Sequence, residues 1–300
     1  MNHLLKLLDL STEDITGILN LADQLKFEQK KGIRHHRLEG KTLGMIFQKA
    51  STRTRVSFEV GMYQLGGSAL FLSANDLQIG RGEPVEDTAR VLSRYLDGIM
   101  IRTFAQQEVE DLARFGSIPI INGLTDFAHP CQVLADLMTI REHKGILQGL
   151  KLCYIGDGNN MANSLIVGGL KSGMSISCAT PEGYRPHKQV LEFAKDYAQF
   201  QLTGDVFEAA KDADVVVTDV WASMGQEGEA ALRREAFAGY QVNHKLMQAA
   251  KPDALALHCL PAHRGEEISA EIMEQHPEIW DEAENRLHAQ KAVLVKLMEG

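Results

Sequence analysis

Two α/β domains, each a parallel sheet flanked by helices, are predicted by three observations. Short apolar runs alternate with helical patterns along the whole chain, the signature of parallel strands joined by helical crossovers. Most of these runs end on polar or charged residues, and in such sheets ligands collect at the carboxyl ends of the strands. A chain of 300 residues with 44% hydrophobic content is longer than one core tends to use and apolar enough to bury two.

The first helix starts at the capping pattern Ser11-Thr12-Glu13-Asp14, followed at helical spacing by Ile15, Ile18, Leu19, Ala22 and Leu25. Past a basic loop around Lys30, Lys31 and Arg34, the run Leu43 to Phe47 reads as a strand. A helix through Val56, Val60 and Tyr63 follows and stops at Gly66-Gly67. Ser68 to Leu72 is the next strand, and a helix resumes from Pro84 through Val85, Thr88, Ala89 and Leu92. Strands at Gly98 to Arg102 and Ile118 to Asn122 complete the first sheet, and Asp126 to Pro130 leads into a helix carrying Val133, Leu134, Leu137 and Met138.

After the segment 144–151 a second α/β unit begins with the strand Leu152 to Ile155, which enters Gly156-Asp157-Gly158-Asn159-Asn160 and a helix through Ala162, Leu165, Ile166 and Leu170. Ser175 to Ala179, Ala213 to Asp219 and Ala254 to His258 supply further strands, with one helix between the first two. The last periodic segment, Asn285 to Met298, reads as a helix returning to the first domain. The expected division is therefore 1–146 with 285–300, and 147–284.

The stretch most suggestive of chemistry is Ser51-Thr52-Arg53-Thr54-Arg55, between a strand and a helix start. A helix start exposes unpaired N–H groups and the positive end of the macrodipole, Ser51 is a good N-cap, the threonines add hydroxyls and Arg53 a two-pronged donor, so phosphate binding is the direct inference. Ser51, Arg102 and His129 each follow a strand, which should bring them to one edge of the first sheet.

A net charge of -9 argues against nucleic acid or an anionic membrane as the main partner. The first nine residues are too short and too interrupted by charge for a signal peptide or a span. Four scattered cysteines, Cys131, Cys153, Cys178 and Cys259, lack paired metal spacing and fit a reduced cytoplasmic compartment.

Taken jointly, Ser51-Thr52-Arg53-Thr54, Arg102, His129-Pro130-Cys131-Gln132, Asp219 to Gly225 and His258-Cys259-Leu260-Pro261 resemble the ornithine carbamoyltransferase family in order and spacing, from the first helix to Arg286. Ala50, just ahead of the loop, is a small departure. The resemblance implies transfer of the carbamoyl group of carbamoyl phosphate to the δ-amine of L-ornithine, giving citrulline and phosphate, at a site in the cleft between the domains. It implies that Ser51, Thr52, Arg53, Thr54, Gln78, Arg102, His129, Gln132, Cys259, Leu260 and Arg286 hold carbamoyl phosphate. Ornithine would be held by Asn160, Asp219, Ser223 and Met224, with Cys259, Arg102 and His129 catalytic. It also implies a homotrimer or an assembly of trimers, no cofactor and no metal, and a place in arginine metabolism, in biosynthesis or the urea cycle.

Several residues have plainer readings. Gly156-Asp157-Gly158 lacks the third glycine of a dinucleotide fingerprint, since Met161 stands there, and reads as a strand-to-helix turn rather than as the mark of a dehydrogenase. His35 and His36 lack companion ligands and read as surface residues. Cys131, Cys153 and Cys178 read as packing, and Trp221 reads equally as a packed aromatic or a substrate contact. A regulatory subunit without turnover, or a carbamoyltransferase for aspartate, putrescine or an acylated ornithine, are the rival functions. Asp219 with Ser223-Met224-Gly225 favours a free α-amino acid with a terminal amine.

Overall fold

The computed structural model describes residues 1–223, 225 and 227–299 and divides into two compact units, Met1–Ala135 with Asn285–Gly300, and Asp136–Glu284. The first unit holds a four-stranded sheet in the order β2-β1-β3-β4, where β1 is Thr42–Phe47, β2 Ser68–Ser73, β3 Gly98–Arg102 and β4 Ile120–Leu124. All neighbours are parallel. Central β1 and β3 are buried nearly throughout, as continuous apolar runs require, whereas edge strand β2 is largely open.

The helix Thr12–Lys30 begins at a complete capping box, with Ser11 accepting from the Asp14 amide and Asp14 from the Ser11 amide, and buries Ile15, Ile18, Leu19, Ala22 and Leu25. Such a cap is worth about 1 kcal/mol. At the other end of the sequence, Lys291 is fully buried, and its ammonium donates to the side-chain oxygens of Gln29 at 2.6 Å and Gln64 at 2.9 Å and to His35 Nε2 at 3.2 Å. His35 Nδ1–H donates to the Ile33 carbonyl, which leaves the Nε2 lone pair for the lysine. His35 is therefore a buried partner of a buried cation, not the surface residue its sequence suggested; His36 is exposed.

The second unit holds five parallel strands in the order β7-β6-β5-β8-β9: β5 Lys151–Ile155, β6 Ser175–Ala179, β7 Phe200–Thr203, β8 Val215–Thr218 and β9 Leu255–His258. Chain direction away from β5 reverses between β6 and β8, so the crevice at the carboxyl ends of β5 and β8 is the topological switch point. Edge strand β9 is closed off by carboxylates: Glu278 accepts from the Ala256 amide and Glu282 from the His258 amide.

The structure departs from the sequence reading in several places, among them the division of the two units, which falls after Ala135 rather than after residue 146. β4 starts at Ile120 rather than Ile118, with Pro119 outside the ladder, where its missing N–H costs nothing. The final helix spans Glu278–Met298 and so begins earlier than Asn285. β7 was not anticipated; it has four residues at a sheet edge and no fully buried position, too short for a periodic signal.

Candidate active site

β1, β3 and β4 run side by side and end at the same edge, and that register assembles the first set of residues. Past Phe47 the chain reaches Ser51, the N-cap of the helix Thr52–Gln64, whose side chain accepts from the Thr54 amide at 3.2 Å and donates to the Thr54 hydroxyl oxygen at 3.1 Å. Arg102 ends β3 opposite Phe47, and its carbonyl accepts from the Gln48 amide at 2.9 Å, tying the loop to the strand. Behind β4, a turn in which the Ala128 amide donates to the Thr125 hydroxyl at 3.0 Å delivers His129 to the start of the helix Pro130–Lys144.

Arg286 joins this group from the far end of the sequence. One of its Nη groups donates to the Gln132 side-chain oxygen at 2.6 Å and the other to the Thr54 hydroxyl at 3.1 Å. His129 is buried, and burial first, then the positive charges of Arg286, Arg102 and Arg53, holds its imidazole well below the ordinary histidine range. At neutral pH it is an uncharged hydrogen-bonding group among three guanidinium groups. Positive charge gathered beside a helix start is an environment that favours an anion. Of the predicted residues in this unit, Thr52 is exposed and Arg53 partly buried at the helix start, while Gln78 lies exposed at the beginning of the short turn Gln78–Arg81. Among the described residues no hydrogen bond links the Gln78 side chain to the others.

In the second unit the organising side chain is Asp219, directly after β8. Its Oδ2 accepts from Asn159 Nδ2 at 2.8 Å, and its Oδ1 from the Val220 amide at 2.8 Å and the Cys259 thiol at 3.0 Å. Asn159 also caps the helix Asn160–Lys171 by accepting from the amides of Met161 and Ala162. One asparagine thus fixes both the helix start and the carboxylate. Asn160 is buried beside it, Ser223 is half-buried, and Met224 lies outside the described residues. Gly158 serves a close approach: a Cβ there would lie 2.2 Å from the Arg185 carbonyl carbon, so the Gly-x-Gly turn is shaped by the chain's own backbone.

Cys259 follows β9. Burial, then the Asp219 carboxylate, pushes its thiol well above the usual range, so the sulfur keeps its proton and donates it to Asp219. Burial likewise pushes Cys131 and Cys153 up to about 12, consistent with packing roles. Leu260 takes the left-handed conformation, with φ +57°. A non-glycine residue held there costs of order 1–3 kcal/mol and marks a loop over-determined by its surroundings. One such restraint is the Leu260 amide, which donates to His258 Nδ1 at 2.8 Å.

Sequence reasoning missed three of these supports. Asn159 was readable as an N-cap but not as the partner of Asp219. His258 ends β9, as its apolar run predicts, but nothing local signals that its Nε2 lies 3.0 Å from buried Glu267. Asp157 pairs with Arg233 at 2.8 Å, and Arg233 also donates to the Trp221 carbonyl at 2.8 Å, while Trp221 stacks on Phe237. That pair spans 76 positions, beyond any local pattern.

Arginines and a neutral imidazole around a helix start suit an acyl phosphate, and a carboxylate backed by an asparagine and a thiol suits an ammonium. A family model for the aspartate/ornithine carbamoyltransferase carbamoyl-P binding domain matches residues 2–142, and one for the Asp/Orn binding domain matches residues 148–297. A relative from Oceanobacillus iheyensis named ornithine carbamoyltransferase is 57% identical over 300 residues, covering 98% of this chain and 93% of the relative. The solved ornithine carbamoyltransferase of Pyrococcus furiosus is similar at 55% identity and a TM-score of 0.95, with 100% of this chain and 97% of that one covered. An anabolic ornithine carbamoyltransferase from Campylobacter jejuni is 45% identical, with a TM-score of 0.93 over 99% of both chains.

Proposed function

The chain belongs to the aspartate/ornithine carbamoyltransferase family, and from that premise we propose that it transfers the carbamoyl group of carbamoyl phosphate to the δ-amine of L-ornithine, releasing L-citrulline and phosphate. The observation that supports the reading is the meeting, at one edge of the first sheet, of the Ser51–Thr54 helix start, Arg102 and the Arg286 guanidinium that bridges Gln132 and Thr54.

The phosphate lies at that helix start, on the amides and hydroxyls of Ser51, Thr52 and Thr54 and the guanidinium of Arg53. Gln78 completes the phosphate contacts. Arg102, His129 and Thr54 donate to the carbamoyl oxygen as it gains charge. Gln132 and the Leu260 carbonyl accept from the carbamoyl amide, and Arg286 orients Gln132 and Thr54.

Ornithine presents its α-ammonium to Asp219, with Asn160, Ser223 and Met224 around its amino-acid end. The δ-amine has a reference pKa of about 10.4 and must shed a proton before its lone pair is available. The free amine attacks the carbamoyl carbon and a tetrahedral intermediate forms. The carbon–oxygen bond to phosphate then breaks, phosphate leaving with the electron pair as the nitrogen loses its remaining extra proton. Cys259, a protonated thiol bonded to Asp219, orients the amine and takes no covalent part. Orientation and charge stabilisation supply the acceleration.

The anabolic relative from Campylobacter jejuni favours the citrulline-forming direction and arginine biosynthesis. Four cysteines without a disulfide favour the cytoplasm, and the family resemblance favours a homotrimer. The test is citrulline formation by the purified protein with ornithine, run beside putrescine, aspartate and N-acetylornithine. Turnover confined to ornithine is expected. Turnover with another acceptor overturns the role given to Asp219, and none with any acceptor restores the regulatory-subunit reading.

A further inference from the structure

One cluster takes no part in the chemistry above. Beyond Cys259 and Leu260 the chain turns through His263, Arg264 and Gly265, and Gln241 Nε2 clasps that turn by donating to the carbonyls of Gly265 and Glu266, both at 2.9 Å. His263 Nδ1 lies 4.0 Å from Glu266 Oε2 and 3.9 Å from Glu267 Oε2, and one donor atom from each of the three residues lies within 4.8 Å of the other two.

The decisive member is Glu267, which is wholly buried. Its Oε1 accepts from His258 Nε2 at 3.0 Å and from the His263 amide at 2.6 Å, while Oε2 has no hydrogen-bond partner among the described residues. His258 does not neutralise it. Because the Leu260 amide can only donate, His258 Nδ1 must present its lone pair, so the single ring proton sits on Nε2 and the imidazole is uncharged. His263 Nδ1, the donor-bearing neighbour of Glu267 Oε2, stands 3.9 Å away, beyond hydrogen-bond reach, and a buried carboxylate oxygen left bare is costly. Glu266 is similarly poised: Arg234 Nε donates to its Oε1 at 3.0 Å, which leaves Oε2 on the His263 side.

We propose that His263, Glu266 and Glu267 form a binding site for a divalent transition-metal cation of the zinc class. One imidazole nitrogen and two carboxylate oxygens are the donor set such ions take. With metal–ligand distances of about 2.0–2.2 Å, two ligand atoms stand at most about 4.4 Å apart, a limit that both spacings from His263 meet. His263 and Glu266 are solvent-accessible, which gives the ion an entry path and the side chains room to adjust. The ion would sit two hydrogen bonds from Leu260, by way of Glu267 and His258.

A second group, Asp219, His258 and Cys259, also brings donor atoms within 4.8 Å of one another, but both ring nitrogens of His258 are already bonded. The two sites differ in one ligand, a thiolate. The probe is therefore Co2+, titrated into tag-free protein stripped with a chelator, because cobalt–thiolate bonds give an intense near-ultraviolet charge-transfer band and imidazole–carboxylate sites do not. The expected result is one bound Co2+ without that band, displaced by Zn2+, weakened at least tenfold in both His263→Ala and Glu266→Gln and unchanged in Cys259→Ser. Far-ultraviolet circular dichroism checks that the variants fold, and the two exposed positions spare buried Glu267. A thiolate band that vanishes in Cys259→Ser overturns the proposal by moving the ion to Asp219. Absence of stoichiometric binding overturns it too.

Discussion

The Cys259 thiol donates to Asp219 Oδ1 at 3.0 Å, and the carboxylate that receives this bond also suppresses ionisation of the sulfur. Alkylation by iodoacetamide at pH 8 is expected to be far slower at Cys259 than at a free cysteine, since only the thiolate reacts. Asp219→Asn removes the opposing charge and should speed the reaction severalfold; mass spectrometry of the labelled peptide reads both rates. A wild-type rate equal to that of a free thiol would show that Asp219 and burial do not suppress its ionisation.

Arg286 supports two ligands at once, Gln132 and Thr54, through separate nitrogens. Arg286→Ala is expected to lower kcat/KM for carbamoyl phosphate by about 10²-fold, the effect of removing one organised donor. Arg286→Lys should recover little, because an ammonium cannot hold both partners in the fork geometry. Steady-state kinetics at saturating ornithine separate the two variants.

Burial and three arginines hold the His129 imidazole below its unfolded value. The unfolded chain therefore binds a proton near pH 6.5 that the folded chain refuses, so this group's contribution is complete above that pH and is lost as pH falls below it. Urea midpoints at pH 7.5 and 5.5 should show wild type losing about 1 kcal/mol more than His129→Gln over that interval. Parallel losses would mean that His129 protonates freely in the folded state.

For Lys291 the sign is the same, in a more alkaline window. Burial lowers its ammonium to about 8, below the unfolded lysine value, so the buried charge costs stability at neutral pH and the cost fades as pH rises from 8 towards 10.5. Its three bonds nevertheless make it hard to remove. Lys291→Ala leaves a cavity and strands acceptors on Gln29, Gln64 and His35, and is expected to lose about 3 kcal/mol in chemical denaturation at pH 7.

Much of this was legible in the residues themselves. Alternating apolar runs located eight of the nine strands among the described residues, and the cap at Ser11 and the loop at Ser51 were read from their polar side chains alone. What escaped was long-range. Nothing near His35 announces that a lysine 256 positions later will bury it, and nothing near Glu267 announces that His258 and His263 share its carboxylate. Local spacing reports which face of an element is apolar, whereas pairings between buried polar groups are decided only when the elements meet. Asn159 shows the boundary well: its capping role follows from its place before a helix, and its grip on Asp219 does not.

The first unit is written in two pieces, Met1–Ala135 and Asn285–Gly300. Synthesis runs from the amino end, so all four strands of its sheet leave the ribosome long before Arg286 and Lys291 do. Through the whole translation of Asp136–Glu284, Thr54 and Gln132 wait without their guanidinium, and Gln29, His35 and Gln64 without their ammonium. The nascent chain therefore carries these acceptors unpaired with Arg286 and Lys291 until its last turns of helix emerge, so the first unit is completed only when translation is nearly over.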